Sequence, residues 1–298
     1  MHPRFHGFIA ALLVLGLGAF SACAPDGSGT SSGQTIVIGS QDYYSNEIIA
    51  EIYAQVLESA GYKVDRQFRI GQREVYLPEI EQGKIDLFPE YSGPLLQYFQ
   101  SSTNAKKPDE VYAELKAAMP GGLRVLEQSP ATDQDSYVVT AEFASKWGLV
   151  TIADLAKVTS GLTLGANSEA QTRPNGPTGL KKAYGIEAAF TPIEDGGGPL
   201  TVKALKDDEI QLAIIYTADP SIATNNLVSL VDTNGLFLAS HVVPVASGNI
   251  DSRAAAIIDR VSAAMTGAVL IELNARSVSE QLPAKTIASD WIALRGLK

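Results

Sequence analysis

The feature that most constrains this chain is a segment that occurs twice. Residues 85–99 read IDLFPEYSGPLLQYF, and Ile85, Leu87, Tyr91 and Ser92 return 125 positions later as Ile210, Leu212, Tyr216 and Thr217. At the same offset Val75, Leu77 and Ile80 meet Leu200, Val202 and Leu205, apolar positions at the spacing of one helix face. Near an offset of 126, Ile36-Val37-Ile38-Gly39 is answered by Leu162-Thr163-Leu164-Gly165, and at 124 Gly61, which stops a helical run, is answered by Gly185. The order strand, helix, strand, helix, strand therefore occurs twice, the sign of two similar α/β lobes. In each copy a short buried strand ends in a Tyr followed by a hydroxyl residue, and open α/β sheets bind ligands at the carboxyl ends of their strands. The pattern predicts Tyr91 and Tyr216 facing one another across a cleft.

Within the first copy, strands are predicted at 35–38, 63–70 and 85–89 and helices after Ser45, a candidate N-cap, and over 74–82. Pro108 and Asp109 open another helix, which Met119-Pro120-Gly121-Gly122 ends, and a strand follows at 123–126. Residues 136–140 read as the crossing into the second lobe and 242–245 as the return. Three alanine-rich helices, 253–265, 269–278 and 284–294, are expected to pack back on the first lobe. The expected organisation is residues 1–22 as a signal peptide, 23–34 as a lipidated Cys and polar tether, 35–137 plus 242–298 as a discontinuous first lobe, and 138–241 as the second. Two lobes joined by two crossings form a hinge able to close around a ligand.

The N-terminal assignment rests on an apolar run from Phe8 to Phe20 that is too short for a comfortable membrane span and ends in Ser21-Ala22-Cys23. Small residues before a lone Cys resemble a lipobox, in which Cys23 takes the lipid and becomes the mature N-terminus; cleavage as an ordinary signal peptide is the alternative. Cys23 is the only cysteine, so no intramolecular disulfide is possible. The formal charge of −10 and the absence of any basic run argue against a nucleic-acid partner. Beyond the signal segment the one histidine is His241, which leaves no material for Cys-His catalysis or a multi-histidine metal site, and no G-x-S-x-G surrounds any serine. Neither a cofactor nor a metal is expected. Gly196-Gly197-Gly198 precedes a helix and has a mild capacity to offer amides to a ligand carboxylate.

Tyrosines at equivalent strand ends point to a more particular chemistry. Several electron-rich ring faces meeting in a water-poor cleft suit a quaternary ammonium, which cannot form the hydrogen bonds of a Lys or Arg ligand. The segments IVIGSQDYYSNEIIAEIYAQVLESAGY, GKIDLFPEYSGPLL, TIADLA, RPNGPTGLKKAYG and IYTADP resemble successive motifs of the glycine betaine/choline family of ABC-transporter substrate-binding proteins, over nearly the whole mature chain. The resemblance implies a periplasmic-binding-protein fold of type II with an aromatic cage for a trimethylammonium head. By position it implies Tyr91, Tyr137 and Tyr216 as cage tyrosines, Asp135 as a polar neighbour, and Arg173 as the holder of the ligand's carboxylate. Three positions differ from the family pattern: Gln41 stands where a Lys is frequent, Pro94 where a Thr is frequent, and Ser240 where a fourth tyrosine stands. These differences imply fewer polar contacts and weaker binding of glycine betaine than a four-tyrosine cage gives. The implied role is a monomeric, lipid-anchored receptor on the outer face of the cytoplasmic membrane that closes on its solute and delivers it to a permease with its ATPase. The alternatives are the same role for a bulkier or aromatic solute, or an extracytoplasmic enzyme on the same fold.

Overall fold

A computed structural model describes residues 35–297; the expected signal peptide, Cys23 and the tether lie outside the described residues. In chain order the strands are β1 (Thr35–Gly39), β2 (Lys63–Gln67), β3 (Leu87–Tyr91), β4 (Leu123–Val125), β5 (Asp135–Thr140), β6 (Thr163–Ala166), β7 (Ala189–Pro192), β8 (Leu212–Tyr216), β9 (Leu227–Ser229) and β10 (Val242–Ser247). They form two five-stranded sheets with one plan, β2-β1-β3-β10-β4 and β7-β6-β8-β5-β9. In each sheet the central strand of the repeat pairs in parallel with its two repeat partners, Ile38 beside Leu87 in one and Leu164 beside Leu212 in the other. The fourth strand is antiparallel and comes from the other side of a crossing: β10 lies against β3, and β5 against β8. The internal repeat is thus a repeat of topology, as the matched segments require.

Helices α1 (Tyr44–Ser59), α2 (Arg73–Glu81), α3 (Ser92–Phe99) and α4 (Pro108–Ala118) belong with the first sheet, and α5 (Ala141–Trp147), α6 (Pro177–Tyr184), α7 (Pro199–Lys206) and α8 (Ser221–Thr224) with the second. The last three, α9 (Ser252–Ala264), α10 (Gly267–Ser279) and α11 (Ala284–Arg295), return to pack on α1. They bury Ile258, Leu270, Ile287 and Ile292 against Ile48, Ile49 and Ile52. Each such side chain taken wholly from water contributes roughly 1.5–3 kcal/mol, so this layer fixes the first lobe. On the opposite face of the same sheet Tyr76, Leu77, Leu95 and Leu115 close a second core over Phe88.

Both repeats carry glycine at or next to the end of their central strand, where side chains close over the backbone. A Cβ on Gly39 would stand 2.8 Å from the Phe88 ring, and one on Gly165 would run into Ile210 Cδ1. Several expected boundaries move. The second strand stops at Gln67, since Arg69 turns to φ 56°. The third runs two residues further than its apolar core, which makes Tyr91 its last residue. Ser45 does not cap α1: extended Tyr43 is the N-cap, and Ser45 lies buried in the first turn with its hydroxyl unpaired among the described residues. The crossings also fall outside the strands expected to carry them. The whole of β5 pairs within the second sheet and the whole of β10 within the first, so the chain passes between sheets along residues 126–134 and 230–241.

Candidate functional site

The two repeated strand ends are fastened in the same way. Ser92 N donates to the His241 carbonyl at 2.9 Å, and His241 N donates back to Ser92 Oγ at 3.0 Å. Thr217 N donates to the Gln134 carbonyl at 2.9 Å, and Gln134 N donates back to Thr217 Oγ1 at 3.0 Å. Each hydroxyl residue thereby pins a crossing segment beside the tyrosine that precedes it. Gly93 completes the first clasp, because a Cβ there would stand 2.8 Å from the Ala239 carbonyl oxygen. The polar residues of the repeated motif hold the crossings, and the tyrosines before them are left to pack where the two lobes meet.

Tyr91 and Tyr216 do not meet directly; Tyr43 stands between them. Its ring stacks on Tyr216 with centroids 5.0 Å apart and lies 6.4 Å from Tyr91, whose hydroxyl accepts a hydrogen bond from the Tyr43 hydroxyl. Asn46 sets this position: its Oδ1 takes the Gln41 amide at 2.8 Å and its Nδ2 donates to the Pro89 carbonyl at 2.8 Å, so the β1–α1 turn is tied to β3. Next door the Tyr44 hydroxyl donates to Asp219 Oδ2 at 2.8 Å, from the first lobe to the second. Burial foremost, then the neighbouring Tyr91 and Asp133, pushes the Tyr43 phenol well above its ordinary value; Tyr91 and Tyr216 are raised as well, mainly by burial. All three remain neutral rings with intact faces throughout the physiological range.

Asp133 lies beneath this cluster on the outgoing crossing. Its Oδ1 accepts the Ala218 amide at 3.0 Å. Burial pushes its carboxyl up to about 8 against the pull of that amide, with Asp219 and Asp135 pushing further in the same direction. Ser240 is 1% exposed, and its hydroxyl is spent on the Asp133 carbonyl at 3.0 Å, so it braces the crossing rather than presenting a polar atom to the cleft.

Beside Tyr216, whose register partner is Asp135, a crevice of about 60 Å³ is lined by Arg73, Pro94, Asp135, Arg173 and Asn175 among others. The structure thus brings Pro94, Asp135 and Arg173 together, next to Tyr216. The Asp135 carboxylate accepts Asn175 Nδ2 at 2.8 Å; burial raises it, against Arg173 and Arg73. Arg73 is buried and forked onto Glu90 at 2.7 and 3.0 Å, and the same carboxylate takes the Tyr76 hydroxyl at 2.5 Å and the Tyr91 amide at 2.7 Å. A buried ion pair with its remaining lone pairs satisfied holds the floor under Tyr91.

Several expected site residues are placed differently. Tyr137 stands apart from the other tyrosines: it is fully buried in the second lobe, its ring edge-on to Phe237 and its hydroxyl donating to the Asn175 carbonyl at 2.8 Å. It supports the Asn175 loop from below. Arg173 does not point free into the cleft; Glu74 of the first lobe grips it at 3.0 and 2.7 Å. Gln41 is buried close to the cluster, and its Nε2 has no hydrogen-bond partner among the described residues. The amides after Gly196-Gly197-Gly198 are taken by the chain's own Asp195, which accepts from Leu200 N and Thr201 N at 2.6 and 3.1 Å, so no ligand carboxylate is needed there. The sequence reading missed Tyr43, Asp133, Glu74 and the Arg73–Glu90 pair. Tyr43 carried a signal, an aromatic pair directly between the first strand and its helix.

Two lobes on one plan, joined by clasped crossings and meeting over buried tyrosines, define a receptor for a small solute. The chain belongs to the OpuAC family, the substrate binding domain of ABC-type glycine betaine transport systems, whose pattern matches residues 34–294. It is 26% identical over 276 residues to the glycine betaine-binding protein YehZ of Escherichia coli strain K12, covering 88% of this chain and 90% of that one. It is 28% identical over 249 residues to the carnitine transport binding protein OpuCC of Listeria monocytogenes, covering 80% and 78%. A crystal structure described as a glycine betaine/carnitine/choline ABC transporter superposes with a TM-score of 0.70 at 20% identity, covering 88% of this chain and 99% of the other, which establishes the type II binding-protein fold. Proteins of this family are extracytoplasmic, bind small solutes and work with a permease and an ATPase.

Proposed function

We propose that this protein captures a quaternary-ammonium solute of the glycine betaine, choline or carnitine type between its lobes, with Tyr43, Tyr91 and Tyr216 as the cation's walls and Arg173 and Asp135 beside them. The observation that carries this reading is the stack of Tyr43 on Tyr216, one ring from each lobe, with Tyr91 joined through its hydroxyl. The electron-rich faces of neutral rings attract a cation that offers no hydrogen bonds, and each contact contributes about 0.5–2 kcal/mol according to its desolvation. Because the rings of the two lobes touch, a solute enters only when the lobes part, and closure completes its walls. Gln41 Nε2 adds a buried donor nearby.

The loaded protein hands its solute to a membrane permease driven by an ATPase. It is held on the outer face of the cytoplasmic membrane by lipid on Cys23 and acts as a monomer. A binding role rather than catalysis is supported by the placement of His241, whose Nδ1 is engaged by the Ser129 carbonyl at 2.7 Å on the crossing. A thermal-shift screen across glycine betaine, choline, carnitine and aromatic solutes tests the reading, since a ligand that binds only the folded form raises Tm by mass action. We expect the quaternary ammonium compounds to raise it; a response confined to aromatic solutes without that head would overturn the assignment. Membrane fractionation of Cys23→Ala tests the anchor: the variant is expected in the soluble fraction, and its retention on the membrane would exclude lipid at Cys23 as the tie.

A further inference from the structure

We propose that Glu74 sets the preference of this protein between carboxylated and carboxylate-free quaternary ammonium solutes, by holding Arg173 from the opposite lobe. The inference rests on the reading that Arg173 receives the ligand's carboxylate. Arg173 stands in the second-lobe loop ahead of Pro174-Asn175-Gly176, whereas Glu74 stands in the first turn of α2 in the first lobe. Arg173 Nε donates to Glu74 Oε1 at 3.0 Å and Nη2 to Oε2 at 2.7 Å, a bidentate pair on one edge of the guanidinium; Nη2 also meets Gln72 Oε1 at 3.2 Å. A guanidinium offers five donors in a fixed fork, and its fit to a carboxylate depends on having two adjacent ones free. Here the protein's own carboxylate has taken the Nε–Nη2 edge, and Gln72 meets Nη2 on the other, which leaves Nη1 as the uncommitted nitrogen among the described residues.

The surrounding charges reinforce the effect. The other arginine of the crevice, Arg73, is committed to Glu90, and Asp135 is held by Asn175. Two guanidinium charges therefore stand among three carboxyl groups, Glu74, Glu90 and Asp135. A solute carboxylate arriving there meets an arginine already neutralised and must compete with Glu74 for it. A cation ending in an alcohol, as choline does, competes with nothing. The Arg173 side chain is 18% exposed and that of Glu74 44%, so their pairing is partly screened and modest in strength. That modest strength tunes selectivity without closing the site to either class.

Calorimetric titration of the purified protein with glycine betaine and with choline tests this, using the wild type, Glu74→Gln and Arg173→Gln. We expect Glu74→Gln to move the affinity ratio about three- to fivefold toward glycine betaine. Arg173→Gln is expected to move it toward choline. If Arg173→Gln moves the ratio as expected and Glu74→Gln leaves it unchanged, or moves it toward choline, the role given to Glu74 is overturned while that of Arg173 stands. If Arg173→Gln leaves the ratio unchanged, the carboxylate reading itself fails, and the Glu74 inference fails with it.

Discussion

Tyr91 and Tyr216 end equivalent strands, and each is followed by a hydroxyl residue that clasps a crossing segment in a reciprocal pair of backbone contacts. Around them the lobes diverge. Before Tyr91 stands Glu90, buried and forked onto Arg73; at the equivalent places the second lobe has Ile215, buried in apolar surroundings, and Gly198. After its central strand the first lobe turns directly into α1 and sets Tyr43 against Tyr216, whereas the second inserts a short 3₁₀ turn over Ser168–Gln171 and the loop that carries Arg173. In the proposed site the first lobe thus supplies Tyr43 and Tyr91, and the second Tyr216 and Arg173. On the proposed function, duplication gives two strand ends that share one site, and divergence of the neighbouring residues makes that site suit a ligand with two unlike ends.

The comparison is broken most forcefully at the floor of the first lobe. Glu90 is 0% exposed, and removing one partner of a buried pair leaves an uncompensated charge. Glu90→Ala is expected to cost about 3–5 kcal/mol in chemical denaturation. Ile215→Val, at the matching place, is expected to cost about 0.5–1.5 kcal/mol. Similar costs at the two places would mean that the polar floor does not distinguish the lobes. The clasps come next. Ser92 is buried and Thr217 exposed, so Ser92→Ala is expected to destabilise by about 1–3 kcal/mol, through the His241 amide it leaves unpaired, and Thr217→Val by under about 0.5 kcal/mol, because water replaces the lost contact. Equal losses in urea titrations would contradict this difference in solvent access.

A further difference is a slope in pH. An unfolded Asp titrates at about 3.9, and burial pushes Asp133 in the fold up to about 8, so between those values the unfolded chain has released a proton that the folded one keeps. Stability from this group is fully present below about pH 4 and is lost progressively as pH rises through about 8. Asp133→Asn is expected to flatten that part of the Tm profile while keeping an acceptor for the Ala218 amide. A variant profile parallel to the wild type from pH 4 to 8 would show that Asp133 is ionised in the fold.

The repeat, the alternation of strands and helices along each half and the two tyrosines at strand ends were legible in the sequence because apolar periodicity and glycines at element ends record backbone geometry directly. What escaped was decided by contacts between segments far apart in the chain. Nothing local to Arg173 announces Glu74, 99 positions away, and nothing local to Tyr137 says that its hydroxyl will be absorbed by the Asn175 carbonyl rather than turned to the cleft. Ser240 reads as a missing tyrosine in one dimension; in three it is a brace under Asp133. Crossing strands were misplaced for a related reason, since a segment that leaves one sheet and pairs at once in the next looks the same in sequence wherever the passage lies.

The central claim is that the two lobes build one site jointly, and calorimetry with a quaternary ammonium ligand on Tyr43→Ala, Tyr216→Ala and the double variant tests it most directly. Each single change removes a ring face from one lobe and is expected to weaken binding about tenfold. The double variant is expected to lose less than the two losses combined, because the rings touch and share one ligand. Unchanged affinity in either single variant would place the ligand within one lobe and contradict the account.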